Sequence, residues 1–201
     1  MFTGAQLSLY PMTGDFVGVI LKSLCALDPY REAFRIETDD LSTLIVGPAE
    51  RLFPAMRDLH VAASRGGVHC VLSAIVSRGC PGEPDDPRCT PIAGSYDPRP
   101  AQRLADAKAK VAAAPLTGQT VAAQFALYPM GEGHHMDDIY ACIDFLKQSG
   151  VFDRSKNFCT KLRGDAGAVF ATVGEAFLRF GAPEGHVALD LTVSANSPTV
   201  V

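Results

Sequence analysis

The 201 residues contain no block of five or six like charges, and the formal net charge is only -4. A basic patch able to neutralise nucleic-acid phosphates is therefore missing, which excludes sequence-independent DNA or RNA binding. No apolar run approaches the length needed to span a bilayer. The opening MFTGAQLSLYPM has neither a basic leader nor the long apolar stretch of a signal peptide, so the expectation is a cytoplasmic protein without membrane insertion. Also missing are GxGxxG, a phosphate-binding GxxxxGK[ST], HExxH, GxSxG and any CxxC pair. Without these, the chain offers no visible nucleophile, tuned acid–base pair or metal ribbon, and the reading is that it is not an enzyme.

What is present is the composition of a folded globular protein, 47% hydrophobic and 20% charged. Six cysteines are scattered, and in a reducing compartment they read as thiols; Cys80 and Cys89 sit in a Pro-rich stretch where a loop disulfide is the less favoured alternative.

Internal repetition organises the rest. LSLYPM ends at Met12 and FALYPM ends at Met130, so Leu9, Tyr10, Pro11 and Met12 recur 118 positions later. At an offset of 117, Thr43 recurs as Thr160, Gly47 as Gly164, Phe53 as Phe170, His69 as His186 and Ser77 as Ser194. One residue of slip falls between Met12 and Thr43, where a loop absorbs it. Two domain-sized copies follow, 1–82 and 122–201, joined by residues 83–121, each expected to carry its own core.

Each copy parses by periodicity. Gln6 to Met12 alternates as a strand, and Asp15 to Leu27 places Phe16, Val19, Ile20 and Leu24 at helical spacing, with Asp15 or Thr13 as cap. Arg31–Glu37 and Leu41–Val46 flank a polar turn and read as a hairpin. A second helix is expected from Pro48 to Ser64, kinked or started late by Pro54, and a last strand from Val68 to Val76. The order β-α-β-β-α-β is the split βαβ arrangement, so the fold class is α+β: tandem ferredoxin-like, ACT-like repeats with antiparallel four-stranded sheets. Within the connection, 101–114 is rich in helix formers.

In the strand order 4-1-3-2, the end of the first strand lies against the start of the third. This brings Leu9 to Met12 beside Ser42 and Thr43, and Leu127 to Met130 beside Cys159 and Thr160. Tyrosine, methionine, a strand-end main chain and a threonine hydroxyl suit a flat heterocycle with one hydrogen-bonding edge. The competing reading is that Leu, Tyr and Met are core or interface residues and Pro ends the strand. His69 and His186 read as structural histidines or ligand donors. For His134, His135, Asp137 and Asp138, helix capping explains the residues better than a metal does.

The stretches LSLYPMTGDFVGVILKSL, TDDLST, SRGCPG, QFALYPM and VSANSP together resemble the YkoF family of thiamin- and hydroxymethylpyrimidine-binding proteins. What the resemblance implies is a homodimer, each chain holding two ACT-like repeats with a thiamin site in each. By position, ligand-binding roles pass to Leu9 and Thr43 with Tyr10 and Met12 as pocket walls, and to Leu127, Tyr128, Met130 and Thr160 in the second copy. It also implies thiamin as a bound ligand rather than a cofactor, no catalysis, and a place in vitamin salvage or transport. Asp39 or Asp190 would lie near the cationic thiazolium. Differences between the copies, such as Ser8 against Ala126 and Asp40 against Asn157, imply unequal affinities. The rival reading is an ACT-like regulatory module sensing another metabolite, such as an amino acid.

Overall fold

The structure, a computed structural model, describes residues 3–79, 99–130, 135–180 and 186–199. Eight strands and five helices follow in the order β1 (Thr3–Pro11), α1 (Phe16–Leu24), β2 (Arg35–Thr38), β3 (Thr43–Val46), α2 (Ala49–Ser64), β4 (Cys70–Arg78), α3 (Pro100–Ala112), β5 (Thr120–Met130), α4 (His135–Lys147), β6 (Phe152–Ser155), β7 (Thr160–Asp165), α5 (Ala166–Arg179) and β8 (His186–Ala195). Two ferredoxin-like units are present, with α3 in the connection. Asp15 caps α1 by accepting from the Gly18 N–H at 3.2 Å, and α1 hands over to a 3-10 stretch, Cys25–Tyr30. α2 runs through Pro54, which sits near its N-terminal end and removes one N–H there. Cys80 and Cys89 lie outside the described residues.

The sheets do not stay separate. Their strand orders, 2-3-1-4 and the mirror-related 8-5-7-6, join through β4 and β8 into one eight-stranded sheet. The register runs from Cys70 opposite Ala195 to Arg78 opposite Val187. An isolated ferredoxin-like unit leaves its fourth strand as an edge with unpaired main-chain groups, and this pairing satisfies two such edges at once. The join also corrects the expectation of a separate core in each copy. Buried residues form one continuous cluster, with the Phe53 and Phe177 rings meeting at 5.6 Å between α2 and α5.

The repeated histidines brace this seam. His69 Nε2 lies 3.1 Å from Ser194 Oγ, and His186 Nε2 lies 3.1 Å from Ser77 Oγ. Each histidine bonds the other copy's repeated serine, which gives both landmarks a structural role. The repeated glycines are also steric. A Cβ on Gly47 would stand 2.4 Å from the Phe34 ring, and one on Gly164 would stand 2.8 Å from Val151.

Strand alternation sends Ala5, Leu7, Leu72, Ala74, Val121 and Phe125 to the helical layer. The intervening residues, among them Tyr10, Ile75, Tyr128 and Met130, are exposed on the opposite face, which no helix among the described residues covers.

Among the titratable groups buried here, a histidine makes folding depend on pH near neutrality. His60 on α2 is fully buried, donates from Nε2 to the Cys70 carbonyl at 3.1 Å, and has no partner at Nδ1 among the described residues. Burial pushes its imidazole down to about 4, against the opposing pull of the Cys70 carbonyl. The unfolded chain therefore takes up a proton below pH about 6.5 that the folded chain refuses, so stability falls as pH drops from about 6.5 toward 4. At roughly 1.4 kcal/mol per pH unit, the loss reaches about 3 kcal/mol by pH 4. His60→Phe, the residue found at the equivalent position Phe177, should flatten that part of the profile. Urea unfolding of both proteins at pH 7 and pH 5 checks this, and equal losses in parent and variant would refute it.

Candidate ligand-binding site

β1 is longer than the strand beside it. β3 begins at Thr43, which stands opposite Leu7, and the ladder stops there. Before Thr43 the chain is held in a turn by Asp39, whose Oδ1 accepts from the Leu41 and Ser42 N–H groups at 2.8 Å each. Those two bonds hold the Asp39 carboxyl below the usual carboxylate range. The register is thus two residues away from the expected one. Leu9 to Met12 do not meet Ser42 and Thr43, because the turn pulls residues 39–42 out of the strand. Instead Gln6 Nε2 donates to Ser42 Oγ at 2.5 Å, and Ser8 Oγ donates to the Leu41 carbonyl at 2.9 Å.

This overhang has a consequence for the main chain. In an antiparallel strand, successive residues point their N–H and C=O to alternate sides. Thr3 accepts from Gly47 on the β3 side at 3.1 Å, and Met12 donates to His69 on the β4 side at 2.8 Å. Odd residues of β1 therefore address β3, and even ones address β4. Leu9 is the odd residue beyond the end of β3, so its N–H and C=O point together into the space the neighbouring strand has left. Neither has a main-chain partner among the described residues.

The second copy reproduces this arrangement. Thr160 stands opposite Phe125, the Lys156 N–H donates to Cys159 O at 2.8 Å in the turn, and Leu127 falls beyond the ladder as Leu9 does. Thr43 Oγ1 lies on the helical face, nearly buried, 3.0 Å from Thr38 Oγ1. Thr160 holds the equivalent place opposite Ser155 and is half-buried.

Structure divides the expected set. Leu9 with Thr43, and Leu127 with Thr160, share the helical side of the sheet. Tyr10, Met12, Tyr128 and Met130 point to the opposite, open face and are between 41% and 59% exposed, so they do not share a face with the threonines. The reason is the two-residue period of a strand: neighbours in LYPM cannot all face one pocket. Asp190 is exposed on that open face too, opposite Ile75 on β4 and Ala126 on β5, away from both overhangs.

The match to known proteins follows the two repeats. A family model described as the YKOF-related family matches residues 2–83 and 120–200, one stretch for each repeat. The chain belongs to the YkoF-related family. It is also 31% identical over 198 residues to a Bacillus subtilis (strain 168) protein provisionally named as the HMP/thiamine-binding protein YkoF, an alignment covering 98% of this chain and 91% of that one.

Within this YkoF-related chain, two further repeat pairs border the overhangs. Gln6 recurs as Gln124, whose Oε1 accepts from Lys156 Nζ at 2.8 Å. Asp39, at the first turn, becomes Lys156 at the second, an inversion of charge beside equivalent strand overhangs. The 118 and 117 offsets carry both signals. As for the acidic pair after His134 and His135, His134 and the His135 side chain lie outside the described positions. Asp138 is engaged by Arg103 at 2.7 Å.

The open edge is testable without ligand. Proline removes an N–H, so Leu7→Pro should lose a ladder bond and unfold well below Leu7→Ala, by at least about 3 kcal/mol, or roughly 6–12 °C for a chain of this size. Leu9→Pro should melt within about 3 °C of Leu9→Ala. A large gap between the two Leu9 variants would mean that its N–H is bonded in the fold.

Proposed function

We propose that the chain is a non-catalytic, cytoplasmic binder of thiamin or its hydroxymethylpyrimidine moiety, with one site at each β1- and β5-type overhang, serving salvage or transport of the vitamin. The observation that carries this reading is the N–H and C=O pair of Leu9, without a main-chain partner among the described residues, repeated at Leu127. A 4-aminopyrimidine presents an amino donor next to a ring-nitrogen acceptor. A strand residue with both main-chain groups pointing into one hollow is complementary to that edge, and the ligand takes the place of the missing strand residue. Thr43 and Thr160 supply a hydroxyl one residue pair further along the same face. The name of the Bacillus subtilis relative supports the same ligand class.

Charge separates the two sites. The thiazolium of thiamin is cationic, and the first hollow is bordered by the ionised Asp39 where the second has Lys156. The first site is therefore the stronger for thiamin itself. The exposed Tyr10, Met12, Ile75, Tyr128 and Met130 belong to a second role, the face through which two chains associate as a homodimer. Among the described residues no helix is long and apolar enough to cross a membrane.

Titration calorimetry with thiamin should resolve two unequal sites per chain. Thr43→Val should weaken the tighter one and Thr160→Val the weaker one, each by about tenfold, the value of one hydrogen bond. Indistinguishable sites, or variants that bind as the parent does, would contradict the assignment.

A further inference from the structure

The two repeats differ most in what lies on their helices. In the second, α3 packs along α5 and α4, burying Arg103, Ala107 and Val111 along one stripe. Arg103 anchors it. Its Nη1 is 2.7 Å from Asp138 and 3.2 Å from the Arg179 carbonyl, and its guanidinium lies over the Phe180 ring at 5.8 Å. Asp106 meets Arg179 at 3.5 Å, on a surface that Glu175 also borders.

At the 117 offset, Glu175, Leu178, Arg179 and Phe180 correspond to Asp58, Val61, Ala62 and Ala63 on α2. All four of these line a hollow of about 560 Å³ between α1 and α2, with Lys22 and Arg65 on its walls. It is the counterpart of the groove that α3 fills, deepened because alanines replace an arginine and a phenylalanine. No other described element occupies it.

Its charge is reversed relative to its counterpart. Asp58 is already engaged by Arg57 at 2.7 Å and by the Tyr30 hydroxyl at 2.6 Å. Lys22 and Arg65 are exposed and have no ion-pair partner among the described residues. The surplus is positive where the filled groove offers Asp138 to an arginine.

We propose that the α1–α2 groove docks an amphipathic helix of a partner protein, with a stripe of small apolar residues toward Val61, Ala62 and Ala63 and acidic side chains toward Lys22 and Arg65. The filled groove argues for a helix as occupant, and the reversed charge argues for acidic rather than basic flanks. The groove lies apart from the Leu9 and Leu127 overhangs, so this inference stands independently of the ligand reading.

The probe is a fluorescein-labelled, stapled peptide of residues 100–112 carrying R103E, with the unaltered stapled sequence as its control, titrated against the full-length protein by anisotropy. The R103E peptide should bind at least tenfold tighter than the control. Lys22→Glu and Arg65→Glu, both at exposed positions, should each weaken it tenfold or more, and Ala62→Trp should block the groove by filling it. Circular dichroism of each variant verifies the fold. Equal binding of the two peptides, binding indifferent to all three variants, or no binding up to about 1 mM overturns the proposal.

Discussion

Main-chain pairing between β4 and β8 is the constraint on which the rest of this structure depends. Each repeat alone would end in a long strand with one bare edge and would have a small core of its own. Joined along the full length of both strands, the repeats share one sheet and one layer of buried side chains. The His69–Ser194 and His186–Ser77 bonds then lie symmetrically about the seam, with Ala74 and Leu191, equivalent positions in the two repeats, facing each other at its centre. With the fourth strands used in the seam, main-chain groups stay open along the short outer strands β2 and β6 and, inside the sheet, at the far side of β1 and β5. There each strand outruns its shorter neighbour.

Those overhangs are equal in backbone and unequal in surroundings. Both arise because a four-residue turn interrupts the hairpin before the neighbouring strand begins, yet the turn carries Asp39 in one repeat and Lys156 in the other. The helical layer is asymmetric as well, since only the second repeat is overlaid by α3. Duplication thus supplied a pair of scaffolds, and substitution at their rims made them chemically distinct.

Much of this was legible from residue identities. The paired landmarks located both repeats, the order of periodic segments set the topology, and the recurrence of Gly47 as Gly164 has its reason in the close approach of Phe34 and Val151. Two things were not legible, for physical reasons. An alternating strand such as 70–78 or 186–195 reads the same whether its edge is free or paired, so the fusion of the sheets left no trace in the pattern. The second is the two-residue shift of register, which Asp39 sets by holding the turn through side-chain bonds that periodicity does not encode. Leu9 and Thr43, with their counterparts, do share one side of the sheet. Tyr10, Met12, Tyr128 and Met130 do not, and the two-residue period of the LYPM segment already contained that separation.

In the proposed binding mode, the main chain of Leu9 and Leu127 is the polar edge of the site. The most direct measurement is amide chemical shift and hydrogen-exchange protection on addition of hydroxymethylpyrimidine to the ¹⁵N-labelled protein. The Leu9 and Leu127 N–H signals should move downfield and exchange more slowly, while the Leu7 and Phe125 amides, already bonded in the ladder, stay nearly unchanged. Ligand binding that leaves the Leu9 and Leu127 amides exchanging as freely as before would contradict the account.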